Sequence, residues 1–322
     1  YRSVIVGGEQ NTITANGDRT VIGGGSQNSI SGAFSTIGGG VQNFNQGEYS
    51  VIAGGRSDTI AAASDNAVIS GGFTNFAGNA YSTVSGGANN RATAHGSIVA
   101  GGQGNQANGR WSSISGGQSN RVAADQTVIA GGINNLISGQ FSAILGGNRD
   151  TVLAANSMIG GGSLNKINTP ADFSVIGGGQ NNLINAGNSV IAGGNTNMIS
   201  ADGAAIVGGG SNTVSGLSGF VGGGQLNQAT GQTSTIAGGR LNQATGVFAF
   251  VGGGDHNVAS GNGAVVAGGG DNGVFSPAGN TASGLSAAIV GGYSNTAAGG
   301  QSFVGGGNSN NVAATSLGGA IV

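Results

Sequence analysis

The residues whose type and spacing first suggest chemistry are glycines. The string Gly-Gly-x-x-Asn opens at Gly7-Gly8 with Asn11 and closes at Gly306-Gly307 with Asn310, and it recurs throughout the chain between them. Glycine-rich turns can cradle phosphate through backbone N–H groups. A phosphate loop also needs Gly-Lys-Ser/Thr, and no copy has it. The calcium-binding β-roll motif also opens on Gly-Gly, but it needs a regular row of aspartates. Here the row is asparagine, broken only by Asp58 and Asp150. No metal and no cofactor are therefore expected.

Other candidates for catalysis are sparse. His95 and His256 are the 2 histidines of the chain. They stand eleven repeats apart, about 50 Å at the spacing of stacked strands, too far for one site. Each is expected to be a solvated turn residue. Asp255-His256 has serines nearby, but so does almost every residue in this chain, so proximity alone makes no nucleophile. No carboxylate pair is marked out for glycoside hydrolysis. The chain is not expected to be an enzyme.

One aromatic set stands apart. Phe34, Tyr49, Tyr81, Trp111, Phe141, Phe173 and Phe248 all precede the small residue that opens a repeat. Two readings are open: a broken stripe that stacks on sugars or on a partner protein, or rings that cover neighbouring repeats or fill a seam between chains. The second is preferred. Ice binding needs a regular lattice, usually of threonine. The outward position before the repeat's isoleucine mixes Val, Thr, Phe, Ser and Ala, which is a poor match.

What must position these residues is a repeat: Ser-x-Ile-x-Gly-Gly-x-x-Asn-x-Ile/Ala-x-Gly/Ala-x-x, fifteen residues long and read twenty times. The asparagine sets the register, for example Asn28, Asn43, Asn90, Asn105, Asn120 and Asn135. Six residues before it stands Ile or Val without exception, as at Ile37, Ile52, Ile114 and Ile129. Two residues after it stands Ile, Val or Ala, apart from Asn45. Both halves alternate with period two, which predicts two short strands per repeat, joined by glycine-bearing turns. Strands this short are stable only when stacked. The expected fold is an all-β parallel β-solenoid of about 20 coils, one continuous array over residues 1–322. Its Ile/Val, small-residue and Asn ladders should lie inside, with the amides bonding from coil to coil.

Composition agrees with this reading and removes others. Of 322 residues, 72 are Gly and 2 are Pro, so this is not collagen. Nine basic and 11 acidic residues leave a net charge of −2, without the basic footprint of a nucleic-acid binder. There is no cysteine, which fits an exported protein. No apolar run approaches the ~18 residues of a membrane span. The chain opens on Tyr1 in mid-repeat and ends on Ala320-Ile321-Val322, which matches Ala205-Ile206-Val207 ahead of a Gly-Gly pair. The expectation is a segment cut from a longer array, with export signal and anchor outside it.

Four steps of the register are long, and each is assigned to the turn between the asparagine strand and the next serine. The longest is a loop over 275–283. The Gly-Gly turn then keeps a constant length and is expected to pack against something. Outward positions point the same way. Val51, Val128, Val175, Val190, Phe220, Phe250 and Phe303 precede the inward Ile/Val, and a sustained apolar stripe outside a coil is normally covered. They are the candidate oligomer-facing residues.

The pattern resembles the head repeats of YadA-type trimeric autotransporter adhesins. Ser234-Thr235-Ile236-Ala237-Gly238 followed by Asn242-Gln243-Ala244-Thr245-Gly246 looks like their two-strand coil, and the likeness runs the length of the chain. Gly239 lengthens one turn by a residue, and Asn242 replaces the small residue that opens the second strand. The resemblance implies a left-handed parallel β-roll, a homotrimer and an extracellular, cell-surface location with an outer-membrane anchor elsewhere in the chain. It also implies a structural and adhesive role toward a host-cell, matrix or neighbouring-cell surface, with no nucleic acid and no membrane contact within this segment. The alternative is a non-adhesive structural filament or a phage-type tail fibre.

Overall fold

A computed structural model describes residues 2–270 and 279–322. Among them every regular element is a two-residue β-strand. The chain forms two compact units, Tyr1–Gly162 and Ser163–Val322. Both are parallel β-solenoids built from the same coil.

Each coil carries two strands. In the first unit the isoleucine strands Thr36–Ile37, Val51–Ile52 and Val68–Ile69 stack in parallel, residue on equivalent residue. The asparagine-side strands Ser29–Ile30, Phe44–Asn45 and Thr59–Ile60 do the same. The second unit repeats the plan, with Val175–Ile176, Val190–Ile191 and Ala205–Ile206 on one side. On its other side stand Leu183–Ile184, Met198–Ile199 and Thr213–Val214. A third ladder of single bridges, such as Glu9 to Ser26 to Val41 to Arg56, runs beside the Gly-Gly turn. Alternation turns the second residue of each strand inward, so Ile37, Ile52, Ile114 and Ile129 are fully buried.

The strands alone would run straight; left-handed backbone at the corners folds them into a coil. The second glycine of each Gly-Gly pair has positive φ, for instance 95° at Gly40 and 92° at Gly132. Two further residues per coil adopt it, in most coils without being glycine: the one before the asparagine (Gln42, φ 58°) and the one before the serine (Tyr49, φ 53°). That conformation costs an L-residue about 1–2 kcal/mol. Hydrogen bonding offsets it. Strand N–H groups reach forward to the next coil, as Val51 N–H does to Ala67 O (3.0 Å). Corner N–H groups reach back, as Gln42 does to Ser26 O (2.9 Å) and Tyr49 to Ala33 O (3.1 Å).

The longest insertion lies elsewhere than its expected place. Asn280, not Asn272, takes the ladder position: its N–H donates to Asn257 Oδ1 (3.0 Å) and its Nδ2 to Gly268 O (3.0 Å) and Gly292 O (2.9 Å). Thr281–Ala282 then pairs with Val258–Ala259 and Thr296–Ala297. The extra residues therefore enter at the Gly-Gly turn, between Gly270 and Gly279, and that turn is not constant in length. Of the loop assigned to 275–283, Phe275 to Ala278 lie outside the described residues, as does Asn272; Thr281 and Ala282 are strand. Asn280-Thr-Ala copies the Asn295-Thr-Ala of the following coil, whereas Asn272 is followed by a glycine that packs poorly in a strand.

Candidate functional site

The asparagine row is structural. Asn28, Asn43, Asn90, Asn105, Asn120 and Asn135 are all buried. Asn120 shows the pattern: Nδ2 donates to Gly116 O (3.0 Å) and to Gly132 O of the next coil (2.9 Å), and Oδ1 accepts the N–H of Asn135 (3.0 Å). The coil-to-coil bonds therefore run mainly from amide to backbone. Direct amide–amide bonds are exceptions, such as Asn28 Nδ2 to Asn11 Oδ1 (3.1 Å). With these bonds made, the amide has little capacity left for a ligand. Asn45, which breaks the apolar row, is also satisfied: its Oδ1 accepts from Ser50 Oγ (2.5 Å) and its Nδ2 donates to Ser50 O (3.2 Å).

Asp58 tests the row from within. Its Oδ1 accepts the N–H of Asn75 (2.7 Å), while Oδ2 is buried with no partner. An amide at this position donates to two glycine carbonyls; a carboxylate cannot. Burial pushes the Asp58 carboxyl above its ordinary value, against the opposing bond from Asn75. A raised folded-state value means the native chain holds this proton more tightly than the unfolded chain. That contribution is complete below about pH 3.9 and is lost as pH rises through the folded value. Asp58→Asn is therefore expected to raise stability, and with it the melting temperature, at pH 7 by the cost of the unpartnered buried Oδ2, about 1–3 kcal/mol. The gain should shrink as pH falls toward 4. Melting curves of both proteins across that range check it; equal melting temperatures at neutral pH would contradict it.

Asp255 sits in an ion-paired cluster. Arg240 clamps Asp255 through Nε to Oδ1 (3.1 Å) and Nη2 to Oδ2 (2.8 Å), and His256 Nδ1 lies 3.1 Å from Oδ2. Burial opposes the charge on Asp255, but Arg240 and His256 outweigh it and hold the carboxyl below its ordinary range. Among the described residues no three His, Asp or Glu side chains gather as a metal site would require. His95 differs from its expected role as a solvated turn residue. It is half-buried between two aromatic rings.

Two outer surfaces carry non-random chemistry. The first is the outside of the isoleucine strands. Val51, Val128, Val190, Phe250 and Phe303 are exposed there, while Val175 and Phe220 are half-buried. Two residues further along each strand the row is mostly small, and then comes the first glycine of the Gly-Gly pair. Where the outward residue is phenylalanine, the small residue is glycine and the ring lies over it. A Cβ added at Gly222 or Gly252 would meet Phe220 or Phe250 at 3.4 Å. The surface stays flat as a result.

The second surface is the corner at the other end of that strand. Phe34, Tyr49, Tyr81, Trp111, Phe141, Phe173 and Phe248 all sit there with φ between 53° and 59°, and all are exposed. Phe34 and Tyr49, on adjacent coils, stack at 4.8 Å and 7°, with Arg19 over Phe34. Neighbouring coils thus contact part of the row, while every ring keeps an exposed face. Asn79, Asn108, Arg110 and Asp125, grouped beside Trp111 at this corner, were not singled out by sequence reasoning. Their one signal was register, since all fall in the same turn of successive repeats. No family model and no curated protein matches this chain, so its own surface is the ground for a functional reading.

Proposed function

We propose that this chain is a structural and adhesive segment of an extracellular bacterial surface fibre, assembled as a parallel homotrimer along the outside of its isoleucine strands. The observation that carries the assembly is the first glycine of each Gly-Gly pair. At Gly116, Gly131, Gly146, Gly193, Gly208 and Gly238 a Cβ would have no atom within 4 Å, and the backbone does not adopt the left-handed region. Nothing within the chain requires glycine at these six positions, whereas at Gly24, Gly71, Gly86, Gly161, Gly223 and Gly253 a φ of 144–159° already accounts for it. Close approach of another backbone is the usual remaining reason for such a glycine. The flat apolar row beside it supports the same face, because exposed apolar patches of this extent are normally covered. The number three and the cell-surface location come from the resemblance to adhesin head repeats. The exposed aromatic corner supports adhesion, since repeated weak contacts gain avidity when linked.

The test is mass in solution. Light scattering on the purified chain is expected to give three times the 30.5 kDa chain mass. A monodisperse monomer would overturn the assembly.

A further inference from the structure

We infer that the corner around Trp111 is a binding site for a neutral, linear glycan. The proposal deepens the adhesive reading above and names the chemistry of its ligand. Trp111 is fixed on one side and open on the other. A Cβ at Gly96 would overlap the Trp111 ring, so glycine on the preceding coil lets the indole lie down. His95 meets that ring edge-on at 4.9 Å and 73°, and meets Tyr81 at 5.2 Å and 60°. Tyr81 and Trp111 nonetheless remain 54% and 59% exposed. The rings are therefore held in place without being covered.

Beside the indole opens a recess of about 650 Å³ lined by polar groups. Three of them are oriented by a bond of their own. Asp125 Oδ1 accepts the N–H of Arg110 (2.7 Å), which leaves Oδ2 to accept from a ligand hydroxyl. Asn108 Oδ1 accepts from Thr93 Oγ1 (2.7 Å), which leaves its Nδ2 to donate. Asn79 Oδ1 accepts the N–H of Ala80 (2.9 Å) and leaves its Nδ2 likewise. A pyranose presents what this recess takes: a face of C–H groups for an aromatic ring and a rim of hydroxyls that both donate and accept.

Two observations narrow the class. The recess holds one guanidinium and one carboxylate, and the chain carries a net charge of −2. That disfavours polyphosphates and nucleic acids, which need a basic track. The aromatics also recur on alternate coils, Tyr81, Trp111 and Phe141, with Gly96 and Gln126 between. Two coils span about 9.6 Å, a length comparable with a disaccharide. A linear glycan lying along the stack would meet a ring at every second sugar.

Trp111 is the only tryptophan, so its emission reports this site alone. Titrating the full chain with cellohexaose, chitohexaose and mannohexaose is expected to give a saturable change with at least one of them. The expected Kd is on the order of 1 mM, with the matching monosaccharide at least tenfold weaker. By calorimetry, Trp111→Ala should abolish binding and Asp125→Ala should weaken it about tenfold. Phe248→Ala, at the same corner in the other unit, should leave it unchanged. If Trp111→Ala does not fold, Asp125→Ala and Gly96→Ala carry the test, the latter by lifting the ring. No response to any hexasaccharide, or equal loss in Phe248→Ala, overturns the site. A flat titration on a chain that still measures as a trimer removes the glycan site alone; a monomer that binds removes the assembly alone.

Discussion

Asn120→Leu is expected to lower stability by about 2–6 kcal/mol. The estimate follows from what the side chain leaves behind. Leucine fills a similar volume, but it strands the carbonyl of Gly116 and the N–H of Asn135, while the carbonyl of Gly132 keeps only the N–H of Gln118 (2.9 Å). The two stranded groups belong to neighbouring backbone, one part-buried and one buried, and each buried group without a partner costs about 1–3 kcal/mol. The damage should also be local. In a stacked repeat each coil leans mainly on its neighbours. Hydrogen exchange should therefore quicken first at Asn135 and its flanking coils, before the far ends of the unit respond. Denaturant unfolding and residue-resolved exchange measure the two parts. A loss below about 1 kcal/mol would show that the amide works as an ordinary surface group rather than as the tie between coils.

The second large effect separates two adjacent glycines. Gly132→Ala is expected to cost about 2–5 kcal/mol, because φ is 92° there and a Cβ would overlap Gly147 O on the next coil. Conformational strain contributes about 1–2 kcal/mol, and forced backbone displacement about 1–3 kcal/mol. Gly131→Ala changes a position with no atom within 4 Å and no left-handed backbone. The folded chain should accept it with a shift within about 0.5 kcal/mol. In the proposed assembly the same methyl group meets a neighbouring copy, so Gly131→Ala should weaken the trimer while Gly132→Ala weakens the coil. Melting curves paired with light scattering separate the two. A Gly131→Ala chain that melts normally and stays trimeric would move the contact away from this face.

Much of the coil was readable from residue spacing because the fold is periodic in one dimension. Asn120 lies fifteen residues from Asn105 and from Asn135, and stacking equivalent residues is the only way to pair such short strands. Inside and outside followed from alternation around Ile37 and Ile52. The corners were less legible. Tyr49 and Trp111 occupy left-handed backbone that single-residue preference assigns to glycine. The return bonds to the previous coil make that conformation acceptable, and those bonds exist only once the coils are stacked. The choice of Asn280 over Asn272 was set by strand pairing on both sides, with Ala259 and with Ala297, not by the distance to the preceding Gly-Gly pair.

The sequence by itself therefore determined the coil, its repeat length and its inward residues. Each of these is a property of one repeat, read many times. The tertiary structure alone decided where the longest insertion enters, that the second glycine of each pair takes left-handed backbone, and that His95 lies between Tyr81 and Trp111 above a polar recess. Those features depend on how side chains from successive coils meet at a corner. Their geometry comes from backbone angle and stacking distance, which a repeat pattern does not encode one position at a time.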